Sequence, residues 1–81
     1  GKTSGIQNVA VSINKDLQYF VNNKPIATSD MESELKSALS GVENPTIILR
    51  VEESVPIENA VLVMDIANQN QYKLILAVRP K

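Results

Sequence analysis

The stretch Glu52–Val78 reads EESVPIENAVLVMDIANQNQYKLILAV, and it determines the fold of this 81-residue chain. Its first residues end an apolar strand, Pro56 begins a helix, and an apolar strand follows from Tyr72. Proline is tolerated in the first helical turn, where its missing N–H would have no intrahelical partner. The stretch therefore predicts a strand–helix–strand unit, with a helix that ends near Asn68 and a parallel strand pair joined by a right-handed crossover.

Three shorter strands are predicted upstream of this unit. Apolar and polar residues alternate over residues 9–13, and residues 17–21 repeat that period of two, which predicts an antiparallel hairpin. Asn22 and Asn23 tolerate left-handed backbone angles and suit a tight turn into residues 24–26. Because Pro25 has no N–H to donate, this third strand is expected to be short or to lie at a sheet edge.

A first helix is predicted over residues 30–40. Ser29 and Glu32 have the spacing of a capping box, in which each side chain satisfies the other's backbone N–H. Gly41 is suited to the left-handed conformation that closes a helix. One apolar stripe at helical spacing is expected to face the core: Met31, Leu35, Ala38 and Leu39.

The middle strand, Thr46–Glu52, carries contiguous apolar residues and is expected to need cover on both faces. The predicted fold class is α+β, with one small open mixed sheet of four to five strands and two helices packed on one face. The order is β-β-(β)-α-β-α-β. Residues 1–6 are interpreted as a tag remnant or flexible linker, and residues 7–80 as one domain.

The second helix presents two apolar surfaces when it is projected at about 100° per residue. One broad stripe is predicted to face the core: Ile57, Ala60, Val61, Met64 and Ala67. Leu62 and Ile66 lie outside that stripe. They are either isolated surface apolar residues, which are common, or the centre of a second buried surface formed by self-association.

Composition excludes several classes of function. A formal net charge of −1 provides no basic field for nucleic acid or anionic lipid. The chain has no cysteine and no histidine, so neither a disulfide framework nor a thiolate or imidazole metal site is possible. Glu52 and Glu53 are adjacent in a strand and point to opposite faces, so they cannot flank one bond. We expect no enzyme, no metal site and no cofactor.

Residues Val55–Val78 resemble the C-terminal half of the periplasmic domain of the ExbD and TolR proteins, with a Val-Pro helix start, the Val63-Met64-Asp65 helix core and a final apolar strand. The run Val11–Ile26 is similar to the first half of that domain. Together they cover roughly residues 7–80. The chain departs from the family pattern at Glu52-Glu53, where an Ala-Asp pair is common, and at Gln71-Tyr72, where a glycine is common.

The resemblance implies a component of a proton-motive-force transducer in a Gram-negative envelope: a periplasmic domain whose full-length protein is anchored in the inner membrane by one N-terminal transmembrane helix. The membrane carboxylate that handles the proton lies on that helix, so Asp65 is interpreted as a solvated surface residue. The implied partners are a second copy, an ExbB-like membrane protein and a TonB-type transducer that powers outer-membrane uptake. A TolR-like domain that contacts peptidoglycan is the alternative.

Sheet edges suggest how such partners would be bound. An extended segment or a second copy can add a strand to an open edge through backbone hydrogen bonds. The last strand, Tyr72–Val78, is predicted to be the pairing element, with Leu62 and Ile66 beside it. The candidate interface residues are Leu62, Ile66, Tyr72, Leu74 and Leu76.

Overall fold

The structure, a computed structural model, describes residues 8–78. The predicted tag remnant or linker at residues 1–6 lies outside them. In this described range seven elements follow one another: β1 Asn8–Ile13, β2 Tyr19–Val21, β3 Lys24–Ile26, α1 Thr28–Leu39, β4 Thr46–Val51, α2 Ile57–Gln69 and β5 Lys73–Val78. Neither helix in this range has the length and hydrophobicity of a membrane-spanning segment.

All five strands form one sheet in the order β3-β2-β1-β4-β5. The β3-β2-β1 half is antiparallel, and β1, β4 and β5 are parallel. Each parallel pair is joined through a helix, as a crossover requires. The predicted α+β class and element order are confirmed, and β3 is both short and at the edge, as the proline in it predicts.

The β1–β2 turn extends through Gln18, so β2 begins two residues later than predicted. The Asn14 side-chain oxygen accepts hydrogen bonds from the backbone N–H groups of Asp16 and Gln18, at 3.1 and 2.9 Å. Leu17 adopts φ 62° and is 45% exposed, so the predicted strand 17–21 is reduced to Tyr19–Val21. An asparagine that bonds its own backbone two residues on is a common way to fix such a turn.

The start of α1 differs from the predicted capping box. The helix begins at Thr28 with Ala27 as its N-cap, and no side chain bonds the first backbone N–H groups. Ser29 is therefore already inside the first turn, where it cannot act as the cap. The Glu32 carboxylate instead accepts a hydrogen bond of 3.0 Å from the Asn70 side chain at the end of α2. This contact places the end of α2 beside the start of α1.

The rest of α1 follows its sequence pattern closely. Met31, Leu35 and Leu39 are buried, whereas the predicted stripe member Ala38 is exposed at the margin of the helix. Gly41 adopts φ +75°, the left-handed conformation expected after a helix. The Val42 N–H donates to the Leu39 carbonyl at 3.2 Å and closes the last turn.

The core lies between the two helices and one face of the sheet. The strands β1 and β4 contribute alternating residues, and the register aligns Val9 with Ile47 and Val11 with Leu49. Among the described residues, thirteen hydrophobic residues are buried: Val9, Val11, Ile13, Tyr19, Val21, Met31, Leu35, Leu39, Ile47, Leu49, Ala60, Val63 and Ala67. Both helices pack on this face, α1 over β1–β3 and α2 over β4 and β5.

The core face of α2 is rotated from the predicted stripe. Its buried residues are Ala60, Val63 and Ala67, while Ile57 and Val61 are 68% and 40% exposed. The three buried residues share one face of the helix, with Val63 between the two small alanines. This packing makes the predicted orientation of Ile57 and Val61 toward the core wrong.

The same rotation affects the two residues predicted to face away from the core. Leu62 and Ile66 are half-buried and pack against the core, on the side of α2 from which Asn70 reaches α1. They do not form a separate exposed surface.

Tyr19 connects the hairpin to the second helix. Its hydroxyl donates to the Asn59 carbonyl at 3.2 Å and accepts from the Asn59 side-chain amide at 2.9 Å. The tyrosine ring is 5% exposed. A buried hydroxyl needs such partners, because an unsatisfied polar group costs about 1–3 kcal/mol.

We expect Val63→Ala and Val61→Ala to differ strongly in their effect on the free energy of unfolding. Val63 is fully buried, so two lost methyl groups and the cavity cost about 2 kcal/mol. Val61 is 40% exposed, and its truncation is expected to cost less than about 1 kcal/mol. Urea denaturation of both variants measures the difference, and a larger loss for Val61→Ala would contradict the observed helix orientation.

Tyr19→Phe is expected to lower the free energy of unfolding by about 1–2 kcal/mol, because the Asn59 groups lose their shared hydroxyl partner. Tyr72→Phe is the matched control. Within residues 8–78 the Tyr72 hydroxyl makes no hydrogen bond, so its removal is expected to change stability by less than about 0.5 kcal/mol. Equal losses in the two variants, measured by thermal or urea unfolding, would show that the Tyr19 hydroxyl bonds do not stabilise the fold.

Candidate functional site

Within residues 8–78, the outer edge of β5 carries backbone groups that no neighbouring strand uses. Lys73 donates its N–H to the Pro45 carbonyl at 2.9 Å, so its backbone groups point toward β4. Since successive residues in a strand point their backbone groups to opposite sides, Leu74 and Leu76 direct theirs outward. Tyr72 donates its N–H to the Ala67 carbonyl at 2.8 Å, which makes Leu74 the first residue of the free edge.

An apolar strip lies along the helix side of this edge. Leu76 shares the helix-facing side of the sheet with Leu49, its partner in β4, yet it is 43% exposed. In a helical projection of α2, Ile57 and Val61 lie opposite the side on which Asn70 contacts Glu32 of α1. Because α2 packs over β4 and β5, we infer that Ile57 and Val61 lie on the side nearer the outer edge of β5. We call Ile57, Val61 and Leu76 the edge strip. Their exposure is the kind that an added strand would cover.

The other face of β5 belongs to the side of the sheet that the helices leave uncovered. Ile75 is 50% exposed there and is aligned with Ile48 in β4. The next aligned row on this face runs from Ser12 through Arg50 to Ala77. A shallow cleft of about 400 Å³ lies at this end of the sheet and is lined by Ser12, Ile13, Asn14, Arg50, Val51, Glu52 and Ala77.

The five predicted interface residues do not share one environment. Leu62, Ile66, Tyr72 and Leu74 are half-buried and pack against the core. Leu76 is the member that is exposed beside the free edge, and Leu74 contributes its outward backbone groups. Their contact with a partner remains a prediction.

Sequence reasoning missed three exposed residues at this edge, namely Ile57, Val61 and Ile75. The projection places the first two on the core face because it centres the apolar stripe of α2 about 60° away from the face that is buried. The spacing of Ala60, Val63 and Ala67 was a signal for the correct face, because small residues mark positions where a helix lies close to its neighbour.

Acidic side chains show no metal-binding grouping in the described range. Within residues 8–78, no cluster of three acidic side chains is arranged to hold a metal ion. Asp65 is exposed on α2, in agreement with its interpretation as a surface residue. Glu52 accepts a hydrogen bond of 3.2 Å from the Lys15 backbone N–H, which gives it a role in the β1–β2 turn region.

Comparison with known proteins supports the resemblance noted in the sequence. A search of curated proteins finds no significant match to the chain. A protein family described as "Biopolymer transport protein ExbD/TolR" matches residues 2–81, which is almost the whole chain. The matched range includes the parallel β4-α2-β5 unit, the free β5 edge and the antiparallel hairpin. The chain therefore belongs to the ExbD/TolR family of biopolymer transport proteins.

Proposed function

We propose that this chain is the periplasmic interaction domain of an ExbD-like proton-motive-force transducer, a non-catalytic module that dimerises and engages a TonB-type protein through the β5 edge. The observation that carries this proposal is the free edge itself, with the outward backbone groups of Leu74 and Leu76 beside the exposed edge strip. Membership in the ExbD/TolR family supports a role in biopolymer transport. The remaining partner in this proposal is an ExbB-like protein at the inner membrane.

The opposite edge of the sheet is much less suited to strand addition. The β3 strand has three residues, and one of them is Pro25, which has no N–H to donate. Charged Lys24 pairs with Glu34 at 3.3 Å beside it. Short strands, proline and lysine are the usual features that prevent edge pairing. By contrast, β5 has six residues, no proline and apolar side chains on both faces.

Strand addition at β5 provides both backbone and side-chain recognition. Hydrogen bonds to Leu74 and Leu76 give affinity that does not depend on the partner's sequence, and alternate partner side chains meet the edge strip on one face and Ile75 on the other. A second copy could pair antiparallel with β5 about a two-fold axis, and an extended TonB-type segment could pair with the same edge. The two occupants compete because one edge accepts one strand.

Leu76→Pro is expected to weaken both self-association and TonB-segment binding by roughly tenfold, because the outward N–H of Leu76 is replaced by the proline ring. Leu76→Ala is the control that keeps the N–H and removes only the side chain, and it is expected to lose less. Analytical ultracentrifugation measures self-association, and the circular dichroism spectrum verifies that each variant is folded. Unchanged association in Leu76→Pro would contradict the β5 proposal.

A binding competition separates the ExbD-like role from the peptidoglycan-contacting alternative. We expect an immobilised TonB-type periplasmic segment to bind the labelled domain. An excess of unlabelled domain is expected to reduce the amount of labelled domain bound. Purified peptidoglycan sacculi are the second arm of the same pull-down. Retention on sacculi by wild type and Leu76→Pro alike, with none on the TonB-type segment, would favour the TolR-like role and overturn the ExbD-like one.

A further inference from the structure

Two cations flank the β5 edge on the uncovered face of the sheet. Lys73 lies at the start of β5, and Arg50 lies on β4 in register with Ala77. Both are exposed, and in residues 8–78 neither forms an ion pair. The side chains that β5 itself presents on this face are Lys73, Ile75 and Ala77, so no carboxylate of β5 neutralises the two cations.

Ala77 leaves the path from Arg50 to the free edge open. Adjacent strands lie about 4.8 Å apart, so a residue of an added strand opposite Ala77 would lie about 10 Å from the Arg50 Cα. The methyl group of Ala77 is the only side chain between them in that row. An extended arginine side chain spans most of this distance. A carboxylate side chain on the added strand would span the rest and accept paired N–H···O hydrogen bonds from the guanidinium.

The acidic residue that lines the same cleft, Glu52, does not form an ion pair with Arg50. Glu52 lies two residues further along the chain and lines the same cleft, but its carboxylate accepts the Lys15 N–H and is not within ion-pair distance of the guanidinium. The Ser12 hydroxyl lies on the other side of Arg50 in the same row. Among residues 8–78 the Arg50 guanidinium has no ion-pair partner, so the cleft offers this guanidinium and a hydroxyl donor to a ligand.

We propose that the strand which docks on β5 is an acidic one, with a carboxylate residue opposite Ala77 that binds Arg50, an apolar residue opposite Ile75 and a second carboxylate residue opposite Lys73. This inference rests on the proposed strand addition at β5 and specifies the chemistry of the partner. The three positions are alternate residues of one strand, because residues i, i+2 and i+4 share a face. The partner residues between them are apolar and cover the edge strip.

Charge also distinguishes this partner from a second copy of the chain. Antiparallel pairing about a two-fold axis perpendicular to the sheet would place both copies' Lys73 and Arg50 on one continuous face. Like charges across neighbouring strands are destabilising, whereas opposite charges contribute favourably. An acidic partner is thus the better electrostatic match to this edge.

A library of displayed peptides of about eight residues, long enough to pair along the whole of β5, tests the proposal. Peptide positions that would face the edge strip are fixed as valine, and the alternate positions, which would lie on the uncovered face of the sheet, are randomised. Peptides are selected for binding to the wild-type chain and, separately, to Arg50→Gln. We expect Asp and Glu to be enriched at two of the randomised positions on wild type, and at only one of them, the position opposite Lys73, on Arg50→Gln. Arg50 is exposed, so the variant is expected to fold.

Binding constants of one selected peptide and its acid-to-amide counterpart, measured by fluorescence anisotropy, complete the test. Replacing the carboxylate by the amide is expected to weaken binding to wild type roughly tenfold and to leave binding to Arg50→Gln unchanged. Arg50→Glu is expected to prefer lysine at the same position. Equal acidic enrichment on wild type and Arg50→Gln, or no acidic enrichment at all, would overturn the charge selectivity while leaving strand addition intact.

Leu76→Pro distinguishes failure of the inference from failure of the proposed function. If peptides bind wild type and Leu76→Pro equally, strand addition at β5 is wrong and the charge inference fails with it. If Leu76→Pro loses binding but Arg50→Gln selects the same peptides as wild type, the proposed function stands and only the role of Arg50 is rejected.

Discussion

Two helices cover one face of a five-stranded sheet, and the limits of that cover determine the rest of the structure. The small chain places its buried apolar residues between the helices and the sheet, and it has no third layer within residues 8–78 for the opposite face. A helix of this size also covers about two strands, so α2 leaves the outer side of β5 open. The two helices that form the core with one face of the sheet are too few to cover the outer edge of β5 as well.

Crossover topology decides which edge is left open. Each helix connects a strand to a parallel one, and the parallel half grows outward from β1 to β4 and then to β5. The last strand consequently lies at an edge with no later element in the described range to cover it. The antiparallel half ends in β3, whose proline and short length make it unfavourable for pairing. The two edges of one small sheet therefore have opposite properties.

Sequence reasoning recovered the elements better than their orientation. Alternating residues in β1 and a left-handed glycine after α1 are local signals, and the structure has both in the predicted places. The capping box failed because its spacing does not fix where the helix begins. The α2 stripe failed because Ile57 and Val61 are as apolar as the residues that are buried. The buried face of α2 carries Ala60 and Ala67 with Val63, whereas the more hydrophobic Ile57 lies outside it, so hydrophobicity alone does not identify the face that meets the sheet.

The candidate site was only partly accessible from sequence for the same reason. The last strand was identified as the pairing element from its position and its apolar composition. The cation pattern on its uncovered face required the register, because Arg50 and Ala77 are 27 residues apart in the numbering and meet only through the β4–β5 ladder. Sequence spacing alone gives no reason to consider these two residues together.

The hydrogen bonds between Tyr19 and Asn59 also have a consequence for how the chain folds. They join the second strand to the beginning of the second helix across 40 positions of sequence. Neither half of the chain can satisfy the buried hydroxyl alone, so the hairpin gains this stabilisation only once α2 has docked. Contacts of long sequence separation slow folding and couple distant segments. The hairpin and the strand–helix–strand unit therefore behave as one cooperative unit, in which local opening of either half weakens the other.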